Sequence, residues 1–100
     1  MTTKQQVEYI LQMFPDSRNS DGILILNLYR KYYYLPDPVS QEKLLEIINY
    51  SKPSEIVRYR QKLNQEGKYL ATNPKVREER SKRIKVMRKA LGYDNKPDTL

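Results

Sequence analysis

Cysteine, histidine and tryptophan are missing from this chain, and glycine occurs only three times. Without thiols or imidazoles there is no disulfide, no thiolate nucleophile, no zinc site of the usual Cys/His type and no imidazole acid–base relay. Three scattered glycines leave no Gly-rich phosphate loop, and the acidic residues offer nothing at metal-ligand spacing beyond the ordinary pair Glu78-Glu79. No apolar run approaches the ~18 residues that span a bilayer. The start "MTTKQQVEYI" also lacks the long apolar core of a signal peptide. The chain is therefore expected to be soluble, unprocessed, cytoplasmic, free of cofactors and not an enzyme.

What is present is charge of one sign, unevenly placed. Residues 1–51 hold five basic and six acidic side chains, residues 52–91 thirteen and four, and residues 92–100 one and two, so all the positive excess lies in the forty residues 52–91. Such asymmetry is the electrostatic footprint of a surface that meets a polyanion. One hundred residues suffice for one domain with one modest core. Leu, Ile, Val and Phe make up 24 of them, slightly above the ~20% below which strongly charged chains stay disordered. Nine tyrosines against one phenylalanine place side chains with a polar tip at the rim of that core.

The apolar spacing predicts five helices. Thr3 with Gln6 has capping-box spacing, and Val7, Ile10, Leu11 and Phe14 then mark one face of a helix over about Lys4 to Phe14, ended by Pro15-Asp16-Ser17. Asn19, Ser20 and Asp21 can cap a second helix, with Leu24, Leu28 and Tyr32 inward and Ile25 and Tyr29 beside them, ending before Pro36. The run Ile23–Leu26 also fits a short buried strand, but the helical spacing continues for three turns. Ser40 caps a third helix over about Gln41 to Tyr50, whose Leu44, Leu45, Ile47 and Ile48 face inward. Only Ser51 and Lys52 separate it from Pro53, a residue suited to a first turn. That fourth helix stops at Gly67. Asn73-Pro74 opens a fifth that runs to about Leu91 and closes at Gly92, leaving a frayed tail over 93–100. Residues 1–92 are expected to form a single all-α helix-turn-helix-like domain, with a winged variant as second choice, since "GKYLATNP" is too short for a full β wing.

On the fourth helix, Ile56, Tyr59 and Leu63 share the inward arc. Ser54, Arg58, Gln61 and Gln65 fall within about 60° of one another on the opposite side, with Lys62 next to them. Arg and Gln can bond bidentately to guanine or adenine edges; the same row also fits a plain solvated face. Arg60 falls near the buried side and is assigned a structural role, either with its head in water or paired with a carboxylate such as Glu42 or Glu46. The fifth helix carries eight basic and two acidic residues over 74–91. Its Val76, Ile84, Met87 and Leu91 share a face that Arg80 and Arg83 interrupt, so the first half is expected to stand off the core. Three successive tyrosines at 32–34 fan over about 200° of a helix, so at least one is exposed, whether as a rim residue, a self-association patch or a stacking platform for unpaired bases.

The stretch "PSEIVRYRQKLNQEGKYLATNPKVREERSKR", about a third of the chain, resembles a set of small proteins of tailed phages and prophages of Gram-positive bacteria. There a "S-P-E-x-I-x-R-x-R-R-K-[IL]-Q" helix precedes a Tyr-Leu step and a basic Val-x-x-x-R helix. Pro53, Ile56, Arg58, Arg60, Lys62 and Leu63 match the helix, Tyr69-Leu70 the step, and Val76 with Arg80 the last element. Lys52 stands where the pattern has Ser, and Gln61 replaces the first of two adjacent basic residues. The resemblance implies a helix-turn-helix-like architecture and a phage setting.

Together these readings predict a non-catalytic double-stranded DNA-binding protein, regulatory or accessory to a phage. Ser54, Arg58, Gln61 and Gln65 would face the groove, and Lys52, Lys62, Lys68, Lys75, Arg77 and Lys82 would contact phosphate. The alternative is a protein-binding module or inhibitor that docks the same basic face on an acidic host protein, because charge alone does not separate the two. RNA is a third partner class, without an RRM-like or KH-like signature.

Overall fold

The computed structural model describes the backbone of residues 1–90 and the side chains of residues 1–83. Five α-helices carry the chain: α1 (Thr3–Met13), α2 (Asp21–Tyr32), α3 (Gln41–Tyr50), α4 (Pro53–Gln65) and α5 (Pro74–Ala90), with a 3-10 turn over Pro15–Arg18 between the first two. The fold is all-α, and no strand occurs among the described residues, so the winged variant finds no support. Two compact units are distinguished, Met1–Leu70 and a second that begins at Ala71. The expected stop at Gly92, the tail over 93–100 and the inward set Ile84, Met87 and Leu91 lie outside the described residues.

The first unit is built on α1, α2 and α4. Val7, Ile10 and Leu11 from α1, Leu24, Leu28 and Tyr29 from α2, and Ile56 and Leu63 from α4 form one buried cluster, to which α3 adds Ile47. The capping box sits one residue earlier than expected. Thr2 Oγ1 accepts from the Gln5 amide at 3.2 Å and Gln5 Oε1 accepts from the Thr2 amide at 2.8 Å. Starting from Thr2 lets the Gln6 amide join the helical ladder by donating to Thr2 O.

Phe14, expected on the inward face, is 44% exposed. Pro15 forces the residue before it out of helical geometry, and Phe14, at φ −127° and ψ 83°, no longer projects with Leu11 and Ile10. The segment after it is not a mere terminator. Ser17 is fully buried and its Oγ accepts from Asn27 Nδ2 at 2.9 Å, while Arg18 Nε donates to Leu11 O at 2.7 Å, satisfying one of the carbonyls that the end of α1 leaves free.

α3 has the expected bounds, with Ser40 Oγ accepting from the Lys43 amide. Its four apolar residues spread over about 160° of the helix, wider than the contact α3 makes. Ile47 at one edge is buried, Leu44 and Ile48 are half-buried, and Leu45 at the other edge stays exposed, contrary to the expected inward set. Tyr29 Oη donates to Ser51 O at 2.6 Å, tying α2 to the two-residue connection before α4. Of the three tyrosines at 32–34, Tyr32 and Tyr33 are half-buried and Tyr34 is exposed.

Arg60 is only 7% exposed, and its partner is Asp21, not Glu42 or Glu46. Nε and Nη2 donate to Asp21 Oδ1 and Oδ2 at 2.9 and 3.0 Å, and Nη1 reaches Asn64 Oδ1 at 3.4 Å. Asp21 sits in the first turn of α2, where a carboxylate also meets the positive end of the helix dipole.

Two outcomes test this packing. Asp21→Ala leaves a buried guanidinium without its counter-charge and should cost about 3 kcal/mol by urea denaturation. Arg60→Met should cost less, because the carboxylate left behind is one-third exposed and can rehydrate; an equal or larger loss for Arg60→Met contradicts the assignment. Burial, with the neighbouring Tyr33 adding, pushes the Tyr29 phenol above its ordinary range, and burial does the same to Tyr32. The unfolded chain then releases these protons first. Stability should hold below pH about 10 and fall as pH rises from there toward the folded-state values. Tyr29→Phe should lose about 1 kcal/mol at neutral pH but decline less steeply in alkali, as thermal melts across pH would report.

Candidate nucleic-acid interface

α4 begins without a side-chain cap. Lys52 occupies the N-cap position and Pro53 supplies the first turn, so the helix start is set by the proline's fixed φ and the short link from α3. Its end is set more firmly. Gly67, at φ +80°, takes the left-handed position that only glycine fills without cost, the Lys68 amide donates to Leu63 O, and the Gly67 amide to Asn64 O, both at 2.9 Å. Asn64 Nδ2 then donates to Lys68 O and Tyr69 O at 3.0 and 3.1 Å. Tyr69 is itself left-handed at φ 52°, and the Arg18 guanidinium lies 5.5 Å from the centre of its ring. These contacts fix where Lys68 leaves the helix. The signal for Asn64 in the sequence is an amide three residues before a helix-ending glycine.

With Ile56, Arg60 and Leu63 turned into the core, the opposite row of α4 is presented outward. Ser54, Arg58, Gln61 and Gln65 are all exposed, and among the described residues no side-chain hydrogen bond or ion pair engages any of them. Lys52 and Lys62 are exposed on the same helix, Lys62 with its ammonium 5.8 Å from the centre of the Tyr59 ring. The one acid of the first turn is Glu55. Lys68, just past the helix, pairs with Glu66 at 3.7 Å, a surface contact of little strength. These seven expected site residues belong to the first unit.

The other three, Lys75, Arg77 and Lys82, are exposed on the N-terminal half of α5. Asn73 Oδ1 accepts from the Lys75 amide at 2.9 Å, the cap expected before Pro74. Arg77 Nε is committed to Ala71 O at 2.7 Å, which leaves only its outer amino groups for a ligand, and Lys82 pairs with Glu78 at 3.2 Å across one turn. Among the described residues no helix is long and apolar enough to cross a membrane.

Searches of family models, curated proteins and solved structures find no match to this chain. Any functional reading therefore rests on the residues themselves.

Because no side-chain hydrogen bond or ion pair among the described residues depends on the outward row of α4, its removal should leave the fold intact. Replacing Arg58, Gln61 and Gln65 together by Ala should shift stability by no more than about 0.5 kcal/mol per site. Gly67→Ala, which forces a Cβ into a left-handed position, should cost about 1 kcal/mol. Calorimetric melts of both variants check the contrast; a large loss in the triple variant would mean that the row is structural.

Proposed function

We propose that this chain is a non-catalytic double-stranded DNA-binding protein, with α3 and α4 as a helix-turn-helix pair and α4 as the element that enters the major groove. The supporting observation is the division of α4 into two faces. One holds Ile56, Leu63 and the paired Arg60, and the other offers Ser54, Arg58, Gln61 and Gln65 with their polar ends uncommitted. Arg and Gln are the side chains that form bidentate bonds to guanine and adenine edges. Lys52, Lys62 and Lys68 flank the row in the first unit as phosphate contacts; Lys75, Arg77 and Lys82 are proposed, on the second unit by itself, as phosphate contacts. The resemblance of residues 53–83 to small phage and prophage proteins fits a regulatory or accessory role in the cytoplasm of a host cell.

Fluorescence anisotropy with labelled duplex DNA at several salt concentrations tests this reading. Neutralising six phosphates gives a slope of log K against log salt of about −5. Lys62→Ala should weaken binding uniformly across sequences and reduce that slope by about 1, whereas Arg58→Ala should cost about 1–3 kcal/mol and relax discrimination at one base pair. No micromolar affinity at about 50 mM salt, where phosphate contacts are strongest, contradicts the reading. Equal binding to duplex and to polyglutamate would replace it by the acidic-protein alternative.

A further inference from the structure

Residues 34–50, which hold α3 and the segment leading to it, leave the end of α2 and come back to the start of α4 at a single residue, Tyr29. At the outgoing end the Tyr33 amide donates to Tyr29 O at 2.9 Å, and at the returning end Tyr29 Oη donates to Ser51 O at 2.6 Å. The Tyr33 ring stands edge-on to the Tyr29 ring at 6.1 Å and completes this base. α2 and α4 are joined separately, by the Arg60–Asp21 pair and by the cluster that holds Leu24, Leu28, Ile56 and Leu63. Neither joint passes through α3.

Little holds the excursion itself down. α1, α2 and α4 each bury three residues, whereas Ile47 alone is buried between 34 and 50. Leu35 and Ile48 pack half-buried against the core, and the Tyr50 ring meets Tyr33 at 5.9 Å. Among the described residues no hydrogen bond or ion pair joins 36–50 to α1, α2 or α4; Ser40 with Lys43, and Lys43 with Glu46, are contacts within the excursion. A helix of 10 residues is marginal by itself in water, so α3 depends on this thin dock for its helicity. Tyr34, the first residue of the excursion, works against the dock. It sits at φ 51°, a left-handed position that a bulky side chain occupies only at a cost, and with its ring 84% exposed no packing offsets that cost.

We propose that residues 34–50 are a strap that opens as one unit on a core of α1, α2 and α4 that stays folded, with Tyr29 closing the base in both states. Opening gives up the burial of one isoleucine and of a few half-buried side chains, relieves Tyr34, and leaves the Arg60–Asp21 pair in place. Because both ends remain tied at Tyr29, the released segment gains less conformational entropy than a free end would, which favours re-docking. The strap takes the α3–α4 pair apart and rebuilds it without unfolding the chain. It needs no nucleic acid, so its outcome is separable from that of the DNA titration.

Native-state hydrogen exchange of the full chain, read amide by amide by NMR in rising urea below the unfolding transition, tests the strap. Relative to their intrinsic rates, the amides of Leu45, Ile47 and Ile48 should exchange at least about 100-fold faster than those of Leu11, Leu28 and Leu63, with little dependence on urea. Ile47→Asp should leave α3 without protection and remove the share of its 10 residues from the helical circular dichroism, while α1, α2 and α4 keep slow amides. Glu46→Pro breaks α3 at an exposed position without setting a charge against the core, and should do the same. Wild-type α3 amides that exchange in step with those of the core, or protection lost from α1, α2 and α4 in both variants, overturns the proposal.

Discussion

The bidentate pairing of Arg60 with Asp21 decides how α4 sits in the first unit. Buried ion pairs contribute little net stability against well-packed apolar residues, because both charges leave water. What this one supplies is position. A planar guanidinium meeting both oxygens of a carboxylate at 2.9 and 3.0 Å admits one rotation and one axial placement of α4 against the start of α2. Ile56 and Leu63 alone would accept several neighbouring rotations, since apolar contact is not directional. With Arg60 fixed inward, Ser54, Arg58, Gln61 and Gln65 have to face solvent. The second set of restraints, the Gly67 turn and the Asn64 amide, does the same for the exit of the chain toward Lys68.

The elements were legible where their signals are local. Ser40 before a run of four apolar residues, Pro53 after a two-residue link, Gly67 at the end of α4 and Asn73 before Pro74 each mark a boundary through a cap or a restricted φ, and the structure has those boundaries. Less legible were features that depend on what lies across the core. Thr2 and Thr3 offer the same spacing to Gln5 and Gln6, so only the register of the packed helix distinguishes them. Phe14 carries the right period but is turned out of helical geometry by Pro15, and Leu45 falls beyond the area that neighbouring helices cover. Sequence proximity favours a partner for Arg60 on α3, the adjacent element, whereas the packing of α4 on α2 brings Asp21 to it from 39 positions away.

The candidate site follows the same division. That ten polar residues are exposed was readable from the wheel of α4 and the composition of α5. How far their charges are free was not uniformly so: the Glu78–Lys82 pair is a one-turn neighbour visible in the sequence, but the bond from Arg77 to Ala71 O depends on the bend before α5. The apolar back of α2 was the feature least expected. Ile23 and Leu26 lie in a run that fits either a buried strand or a helix, and only the structure separates the half that enters the core from the half that does not.

Arg60 holds one face of α4 inward and thereby turns the opposite polar row outward. Amide-resolved NMR of the uniformly labelled chain, titrated with a short duplex, addresses it most directly. Shift changes should concentrate at residues 52–65 on α4, with the strongest side-chain effects at Arg58 and Gln61, while Val7, Leu24 and Leu28 in the core stay unmoved. Changes centred on the outer face of α1 or α2 with α4 silent, or no changes at any duplex concentration, would contradict it.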